Sequence, residues 1–312
     1  MKIIGAGLSG LLAGCLFPGS TIYERQSQLP NNHGAILRFR SPKIGEALGI
    51  PFKKVRVYKE INYTVGGTYY NNINPTPQIQ NMYSFKVTGE YRSRSIGNID
   101  PVDRWIAPDN FIDQLAERCH IEYDSRFPYG ESGGVPAGHP VISTIPMPVM
   151  LKLKFHSLAA NIEFKRRPIW TRTFTFNETV DLYQTIYFPG NDTYLYRASF
   201  TGNRLICEYV RDPAEVGAMI PIKQFGLESV IAHRASEAPG THQEYGKIID
   251  IDSDIRKSIM RQLTVAHNIY SLGRFATWRN ILLDDVWDDI HRIREMTRMD
   301  SYSRDIALSE GK

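Results

Sequence analysis

The fold is decided by residues 2–16, whose sequence is KIIGAGLSGLLAGCL. Residues 2–4 form a short apolar strand, and residues 11–16 have the composition of a helix. Between them lies a G-x-G-x-x-G motif of Gly5, Gly7 and Gly10. Gly5 permits a tight turn, Gly7 lets the backbone approach a pyrophosphate, and Gly10 lets helix and strand pack closely. The stretch therefore predicts a strand, turn and helix that bind a dinucleotide, with the N–H groups of the helix start as anion donors.

A second predicted strand, residues 20–23, ends at Glu24, nineteen residues beyond Gly5. An acid at this position can accept hydrogen bonds from both ribose hydroxyls of an adenosine. The pattern predicts FAD or NAD rather than NADP, whose 2′-phosphate an acid would repel. A glycine-rich helix start without a ligand is the alternative explanation, but strand, motif, helix, strand and acid all occur in the required order.

The residues after this acid favour FAD. Tyr23-Glu24-Arg25, followed by His33-Gly34-Ala35, resembles the pattern of FAD proteins of the glutathione-reductase superfamily, in particular those of amine-oxidase and UDP-galactopyranose-mutase type. In these proteins an acid-ending second strand leads to an arginine and a small-residue turn over the pyrophosphate, and here Gly34-Ala35 replaces the more usual Gly-Gly. The resemblance implies FAD as the cofactor and adds Leu8, Ser9, Arg25, Gly34 and Ala35 to its expected contacts.

Two later segments strengthen the resemblance. Residues 139–150, HPVISTIPMPVM, resemble the apolar strand by which amine-oxidase-like flavoproteins return to the FAD domain, and this strand ends at prolines. Residues 268–280 predict a strand ending at Gly273, followed by a helix from about Ile281 to Arg298. In the family this last unit covers the flavin, so the resemblance implies cofactor contacts at Gly273, Arg274, Asn280 and Ile281. UDP-galactopyranose mutases carry a Gly-Arg at the place of Gly273-Arg274, where many relatives carry Gly-Asp.

The predicted fold class is α/β, with a Rossmann-like FAD-binding domain and an inserted antiparallel β-sheet substrate domain. Strong alternation over residues 170–210, interrupted by turn sequences, predicts that antiparallel sheet. We expect a discontinuous FAD-binding domain (1–62, 104–150 and 245–312), a covering lobe (63–103) and a substrate domain (151–244).

The middle of the chain supplies candidate substrate contacts. Alternation over residues 81–96 predicts a strand with Lys86, Arg92 and Arg94 on one face, which could bind an anionic substrate or be solvated. The turn before Arg104 and Trp105 suggests a pocket wall. Arg38 and Arg40 share a face of another predicted strand; one of them could contact phosphate or substrate, and a salt-bridged surface strand explains them equally well.

The candidate catalytic residues are His33, Tyr194, Tyr196 and Arg197. His33 adjoins the expected cofactor turn, although a single histidine is more often structural. Aromatic residues that face a flavin commonly form the cage in which amine oxidases work, whereas a sheet core would explain the two tyrosines equally well.

Composition bounds the class of protein. The chain has 312 residues, a net charge of +4 and 42% hydrophobic residues, which suffices for a large buried core. No apolar run reaches the length of a membrane span and no leader precedes the first strand, so we expect a cytoplasmic protein, in the host cytoplasm if it is phage-encoded. The three cysteines are spaced for neither a disulfide framework nor a metal site, and we expect them reduced and buried.

A second G-x-G-x-x-G with a strand before it and a helix after it is absent from the sequence. The glycines of residues 130–138 lack that context and indicate a loop. The chain therefore has no dedicated NAD(P)H domain, which leaves an oxidase or a flavin reaction without net redox change.

Three functions remain open. The first is oxidation of a carbon–nitrogen bond of an amine or amino-acid-type substituent. The chain resembles short bacteriophage FAD-dependent oxidoreductases, among them the FAD-dependent lyase of thymine hypermodification, which implies glycinyl-thymine in DNA as a substrate, aminomethyl-uracil as the product and DNA as a partner. The second is a redox-neutral reaction on a nucleotide sugar, as in UDP-galactopyranose mutase. The third is FAD binding without catalysis.

Overall fold

The computed structural model describes residues 1–29, 37–65, 68–91, 96–127, 139–155, 162–177, 179, 181–213, 225 and 235–309. Its architecture is two large sheets, one parallel and one mainly antiparallel, with helices packed against them. The predicted fold class, a Rossmann-like unit with an antiparallel substrate sheet, is confirmed.

The first sheet is the Rossmann sheet. Its five strands run parallel in the order β15-β9-β1-β2-β8. Their bounds are β1 Lys2–Ile4, β2 Thr21–Tyr23, β8 His120–Glu122, β9 Val141–Ser143 and β15 Ile269–Ser271. The strand predicted within residues 139–150 thus lies beside β1, and the strand predicted within residues 268–275 lies beside β9 in turn. The carboxyl ends of these parallel strands form one edge of the sheet.

The second sheet has eight strands in the order β14-β10-β13-β12-β11-β4-β7-β3. Neighbouring strands are antiparallel except β11 and β4. The bounds are β3 Arg38–Phe39, β4 Lys53–Ile61, β7 Val102–Ile106, β10 Arg166–Phe176, β11 Tyr183–Tyr187, β12 Leu195–Thr201, β13 Arg204–Tyr209 and β14 Ala235–Ile248. This sheet takes strands from all three expected domains, so it crosses the boundaries placed from the sequence; those boundaries stay a prediction. A separate pair, β5 Tyr63–Val65 and β6 Thr68–Tyr70, is antiparallel.

The helices of the described chain are α1 Leu8–Leu16, α2 Lys43–Leu48, α3 Pro77–Thr88, α4 Phe111–Ala116, α5 Met147–Lys154, α6 Ser253–His267, α7 Leu283–Met296 and α8 Ser301–Ser309. Helix α1 lies against the Rossmann sheet, where Leu11, Leu12 and Ile3 are fully buried together with Ile290 of α7. None of these helices is long and apolar enough to cross a membrane.

The strand predicted over residues 81–96 is wrong, because residues 77–88 form helix α3. The Thr76 hydroxyl accepts a hydrogen bond from the Ile79 N–H at 3.4 Å, and Pro77 occupies the first helical position. Gly89 ends the helix with a φ of +79°, a conformation that favours glycine. These capping signals outweigh the alternation of polar and apolar residues. Arg92 and Arg94 lie outside the described residues.

Lys86 consequently has a structural role. Its side chain is buried, and its Nζ donates hydrogen bonds to the carbonyl oxygens of Phe188 at 2.8 Å, Gly190 at 2.5 Å and Leu195 at 2.6 Å. Burial lowers the pKa of Lys86 to about 7. The side chain joins α3 to the connection between β11 and β12 and leaves no donor for a substrate.

The cysteines differ in part from expectation. Cys207 is buried as predicted, whereas Cys15 and Cys119 are only partly buried. Their Sγ atoms lie 3.9 Å apart, although 104 residues separate them in sequence. A Cβ at Gly14 would lie 2.6 Å from the Cys119 Sγ, so the glycine lets α1 approach the thiol pair.

Candidate functional site: the glycine turn and the adjoining cavity

The turn after β1 is held tightly, as Gly5 was expected to allow. Gly5 has a φ of +94°, and its N–H donates to the Tyr23 carbonyl oxygen at 2.9 Å. A Cβ here would lie 2.6 Å from the Thr144 Oγ1, which itself donates to the Ile4 carbonyl oxygen at 2.7 Å. Both the backbone angle and the available space therefore require glycine.

The next two glycines differ in their surroundings. A Cβ at Gly10 would collide with the Gly5 carbonyl oxygen, so Gly10 sets the close packing of α1 on the turn. A Cβ at Gly7 would meet no atom within 4 Å among the described residues. Gly7 is also the N-cap of α1, and no described side chain caps the helix there. Open space beside an uncapped helix start, with its N–H donors, fits the pyrophosphate of a dinucleotide.

Glu24 lies buried where β2 ends, beside this turn. One carboxylate oxygen accepts a hydrogen bond from the Ala6 N–H at 2.8 Å, and the other accepts from the Gln26 N–H at 3.0 Å. The two bonds hold the carboxylate in place, and each oxygen retains a lone pair for a ribose hydroxyl. Arg25 is exposed. His33, Gly34 and Ala35 lie outside the described residues, so their expected roles stay predictions.

The end of β15 reaches the same turn. Gly273 has a φ of +89°, and a Cβ there would collide with the Ser9 hydroxyl, which places this segment against the first turn of α1. The partly buried Leu8 and Ile281 pack against the core between α1 and the sheet. The strand end thus meets the start of α1, and the cofactor contacts that the resemblance implies for Gly273 and Ile281 stay predictions.

Arg274 and Asn280 extend from this segment towards β14. The Arg274 Nη2 donates to the Asn280 Oδ1 at 3.2 Å, and the Asn280 Nδ2 donates to Asp250 at 2.7 Å. The two side chains connect the residues before α7 to the chain that follows β14. Their expected contact with a cofactor stays a prediction.

A cavity of about 330 Å³ adjoins the N-cap of α7 and extends over the second sheet. Leu282, the N-cap residue, lines it from the side of the Rossmann unit. The charged lining residues come from five strands of the second sheet: they are Arg38, Lys59, Arg104, Arg197 and Glu208. The fold thus collects into one cavity charged residues that lie up to 170 positions apart in the sequence.

Arg38, an expected cofactor contact, lies in this cavity. Its guanidinium donates to the Thr185 Oγ1 at 2.9 Å, the Phe200 carbonyl oxygen at 3.2 Å and the Thr201 hydroxyl. Burial, followed by the charge of Arg197, lowers the pKa of Arg38 to about 10. The side chain thus joins β3 to β11 and β12, and a contact with the pyrophosphate at Gly7 stays a prediction.

Arg197, an expected catalytic residue, forms an ion pair with Glu208 through two nitrogens, one of them at 2.7 Å. The Tyr196 hydroxyl donates to the same carboxylate at 2.8 Å. A register shift between Leu195 and Arg197 lets successive residues of β12 reach one acceptor. Burial by itself raises the pKa of Glu208, but Arg197, the charge of Lys247 and the hydrogen bond from Tyr196 outweigh burial and hold the pKa below its usual value.

The two expected cage tyrosines are not brought together in the cavity. Tyr196 is fully buried in the core beneath α3 and has no surface left for a substrate. Tyr194 lies partly exposed just before β12, where the Arg211 guanidinium is 4.8 Å from its ring centroid. Among the described catalytic candidates, Arg197 alone lines the cavity, and Tyr196 binds its partner Glu208.

Sequence reasoning missed Lys59 and Tyr187, which also line the cavity. A signal for Lys59 was present, because β4 alternates with Val55, Val57, Lys59 and Ile61 on one face, and the other three residues are buried. A lysine on the apolar face of a strand suggests a polar cavity. Tyr187 carries no comparable signal, since an aromatic residue in a strand is more often part of a core.

No family model matches the sequence, and no curated protein matches it either. Solved structures match the fold. Reduced UDP-galactopyranose mutase superposes with a TM-score of 0.61 at 13% identity, covering 96% of this chain and 94% of that one. The chain has the fold of the FAD-binding flavoenzymes. A redesigned variant of putrescine oxidase gives 0.53 at 10% identity, covering 97% and 98%. Aklavinone-11 hydroxylase, in complex with FAD and aklavinone, gives 0.50 at 10% identity, covering 95% and 61%. The expected resemblance to proteins of amine-oxidase and UDP-galactopyranose-mutase type is confirmed at the level of fold.

Proposed function

We propose that the chain is an FAD-dependent enzyme that oxidises a carbon–nitrogen bond of an amine or amino-acid-type substituent. The main observation in support of an FAD cofactor is the geometry at Gly7, where open space adjoins an uncapped helix start. The Glu24 carboxylate is held where it could accept hydrogen bonds from the ribose of the same ligand, and Gly273 packs against Ser9 at the first turn of α1. The residues present therefore fit an FAD, and the similarity in fold to flavoenzymes supports it.

The chemistry follows from where the cavity lies. When bound, FAD supplies a hydride acceptor for the carbon beside the substrate nitrogen. The chain provides the site around it: the N-cap of α7 opens directly into the cavity over the second sheet, and a helix start favours negative charge beside it. The ion pair of Arg197 and Glu208 forms part of the cavity wall. A substrate held between this wall and α7 would lie outside the carboxyl edge of the Rossmann sheet, the usual place for ligands in such folds.

The absorption spectrum of the purified protein tests the cofactor. We expect bands near ~370 and ~450 nm, the usual flavin pair, either as purified or after loading with FAD. Anaerobic mixing with candidate amines and N-substituted amino acids then tests the reaction, because oxidation of the substrate must bleach the band near ~450 nm. A protein that cannot be loaded with FAD would contradict the cofactor. A loaded protein that no amine bleaches would contradict the oxidation.

A redox-neutral reaction on a nucleotide sugar is the second candidate. Its support is Gly273-Arg274, a pair that UDP-galactopyranose mutases also carry, together with similarity in fold over nearly the whole of both chains. Dithionite-reduced and oxidised protein should be compared on UDP-galactopyranose by chromatography of the sugar products. Turnover by the reduced form alone would favour this reaction over amine oxidation.

For the first candidate, oxidation of a carbon–nitrogen bond, the most specific proposal is that glycinyl-thymine in DNA is the substrate and aminomethyl-uracil is the product. The support is the resemblance of the sequence to short FAD-dependent oxidoreductases of bacteriophages. Oligonucleotides that contain glycinyl-thymine should be incubated with the FAD-loaded protein and digested to nucleosides for mass spectrometry. Formation of aminomethyl-deoxyuridine would support this substrate, and unchanged glycinyl-thymidine, alongside bleaching by other amines, would exclude it.

A further inference from the structure

The cavity over the second sheet has an excess of positive charge. Four cationic side chains line it, those of Arg38, Lys59, Arg104 and Arg197, whereas Glu208 is the one acid among its lining residues in the described chain. The Glu208 carboxylate is already bound by Arg197 and by the Tyr196 hydroxyl. The other three cations therefore lack a carboxylate within the cavity. Like charges that gather in a partly closed site repel one another unless an anion compensates them.

Arg38 shows the imbalance most clearly. All of its hydrogen bonds go to neutral oxygens, those of Thr185, Phe200 and Thr201. Its Nε is shut off from solvent and has no hydrogen-bond partner within the part of the chain that the structure describes. A guanidinium has five N–H donors in a planar fork, which suits a carboxylate or phosphate. The buried cation on the cavity wall thus has donor capacity that the described protein atoms leave unused.

Arg104 and Lys59 belong to neighbouring antiparallel strands and also bind neutral oxygens. The Arg104 Nη1 donates to the Asp103 carbonyl oxygen at 2.8 Å, and the Lys59 Nζ donates to the Asn98 carbonyl oxygen at 3.1 Å. Asp103, the acid next to Arg104 in the sequence, pairs instead with Lys54 at 3.1 Å and Arg56 at 2.9 Å. Glu60, the acid next to Lys59, accepts a hydrogen bond from the Gln184 Nε2 at 3.0 Å. Burial, and after it the charge of Arg104, lowers the pKa of Lys59, and the charge of Asp100, which lies outside the cavity lining, offsets this only in part. An anion between the two side chains would relieve this repulsion.

We propose that the substrate carries a negatively charged group, a carboxylate or a phosphate, and that Arg38, Lys59 and Arg104 bind it in this cavity. The inference rests on the proposed function only in taking the cavity for the substrate site. It narrows the substrate class, because a plain cationic amine such as an alkyl diamine would meet three repelling charges. An amine attached to a carboxylate or to a phosphate ester would instead be oriented by its anionic group.

Titration calorimetry of the full chain, loaded with FAD where it binds, tests the proposal without relying on turnover. The probes are N-methylglycine, its uncharged-end counterpart N-methylglycinamide, and inorganic phosphate, all at one low ionic strength in a zwitterionic buffer. The variants are Arg38→Met and Arg104→Met. Arg172→Met is the matched control, because Arg172 follows the cavity residue Thr171 on β10, points to the other face and pairs with Glu237.

We expect one or both anions to bind and the amide not to bind. Arg38→Met and Arg104→Met should each weaken anion binding about tenfold or more, the usual effect of losing a charged hydrogen-bond donor, and Arg172→Met should leave it unchanged. Arg104→Met keeps the test decisive if Arg38→Met does not fold, because Arg104 makes fewer contacts with the sheet. Preference for N-methylglycine assigns a carboxylate, and preference for phosphate assigns a phosphate ester.

Three results would overturn the proposal. Neither anion releases or absorbs heat on titration, or all variants bind the anions equally well, or anion binding is lost when FAD saturates the protein. The third result would mean that these cations bind the cofactor rather than the substrate. The proposed function fails differently, by the absence of a flavin spectrum or of bleaching. If the protein is colourless but binds anions through Arg38 and Arg104, the proposed anion site is therefore supported and the proposed FAD-dependent activity is contradicted.

Discussion

The glycine turn and the cavity over the second sheet are built by opposite means. At the turn the binding groups belong to the backbone. Gly5, Gly7 and Gly10 have no side chains, so the turn is tight and backbone N–H groups and open space are available to a ligand. In the cavity, side chains from five strands supply concentrated charge, and the backbone only holds them. The turn is formed by residues close together in the sequence and depends on the absence of side chains. The cavity is formed by residues far apart in the sequence and depends on the charged side chains that the fold brings together. Substitutions should therefore act differently in the two regions.

The largest loss of stability is expected in the cavity wall, from Glu208→Gln. The glutamine retains a hydrogen bond to Tyr196 but leaves the Arg197 guanidinium without its counter-charge. We expect about 3 kcal/mol of destabilisation, the lower end for a broken buried pair because Arg197 is partly exposed to the cavity. Chemical denaturation measures it. Glu237→Gln, which breaks the more exposed pair with Arg172 on the same sheet, is the control and should cost less than about 1 kcal/mol.

At the turn, Gly10→Ala should have the next largest effect. Its Cβ would collide with the Gly5 carbonyl oxygen, so α1 must move away from the turn. We expect about 2 kcal/mol of destabilisation, typical of overpacking, together with loss of flavin from the purified protein. Thermal unfolding and the absorbance ratio of flavin to protein measure the two effects. A variant with wild-type stability and full flavin content would show that the collision is not real.

Acid should reduce the contribution of the cavity ion pair. The folded-state pKa of Glu208 lies below its value in the unfolded chain, so the ion pair stabilises the fold fully above the unfolded pKa, and this contribution is lost as the pH falls through the folded pKa. The difference in unfolding free energy between the wild type and Glu208→Gln should therefore be constant near pH 7 and shrink below about pH 4.5. A difference that grows on acidification would mean that the carboxyl is protonated in the fold at neutral pH.

The smallest effect on stability, and the sharpest contrast with Gly10, is expected from Gly7→Ala. A Cβ at Gly7 meets no atom within 4 Å of the described protein, so the melting temperature of the apoprotein should change by about 1 °C or less. The added methyl group nevertheless enters the space assigned to the pyrophosphate, and we expect FAD to bind about tenfold or more weakly. Fluorescence titration of the apoprotein with FAD measures this. Undiminished FAD affinity would place the cofactor elsewhere.

Much of the first region could be predicted from the sequence. Gly5, Gly7, Gly10 and Glu24 lie where the motif requires them, because strand, turn and helix follow one another within 24 residues and local geometry decides the outcome. The resemblance implied that Gly273 contacts the cofactor, which stays a prediction; its approach to Ser9, 264 residues away in the sequence, was seen only in the structure. The helix at residues 77–88 was missed because its alternation suggested a strand, while its caps, Thr76 and Gly89, indicated the correct answer.

The second region was not predictable to the same degree. The sequence by itself determined the parallel dinucleotide-binding unit and the antiparallel character of β10 to β13, since both depend on short-range periodicity and turn residues. Only the tertiary structure decided that Arg38 binds β11 at the cavity wall, that Tyr196 is buried beneath α3, and that Lys59 and Arg104 line the same cavity. The net charge of such a site is the sum of the charges of side chains from several strands. Which side chains meet depends on the register of those strands, and no single segment of the sequence specifies that register. For this reason the cofactor could be predicted from a short stretch of sequence, whereas the proposed substrate class depends on residues that only the folded sheet brings together.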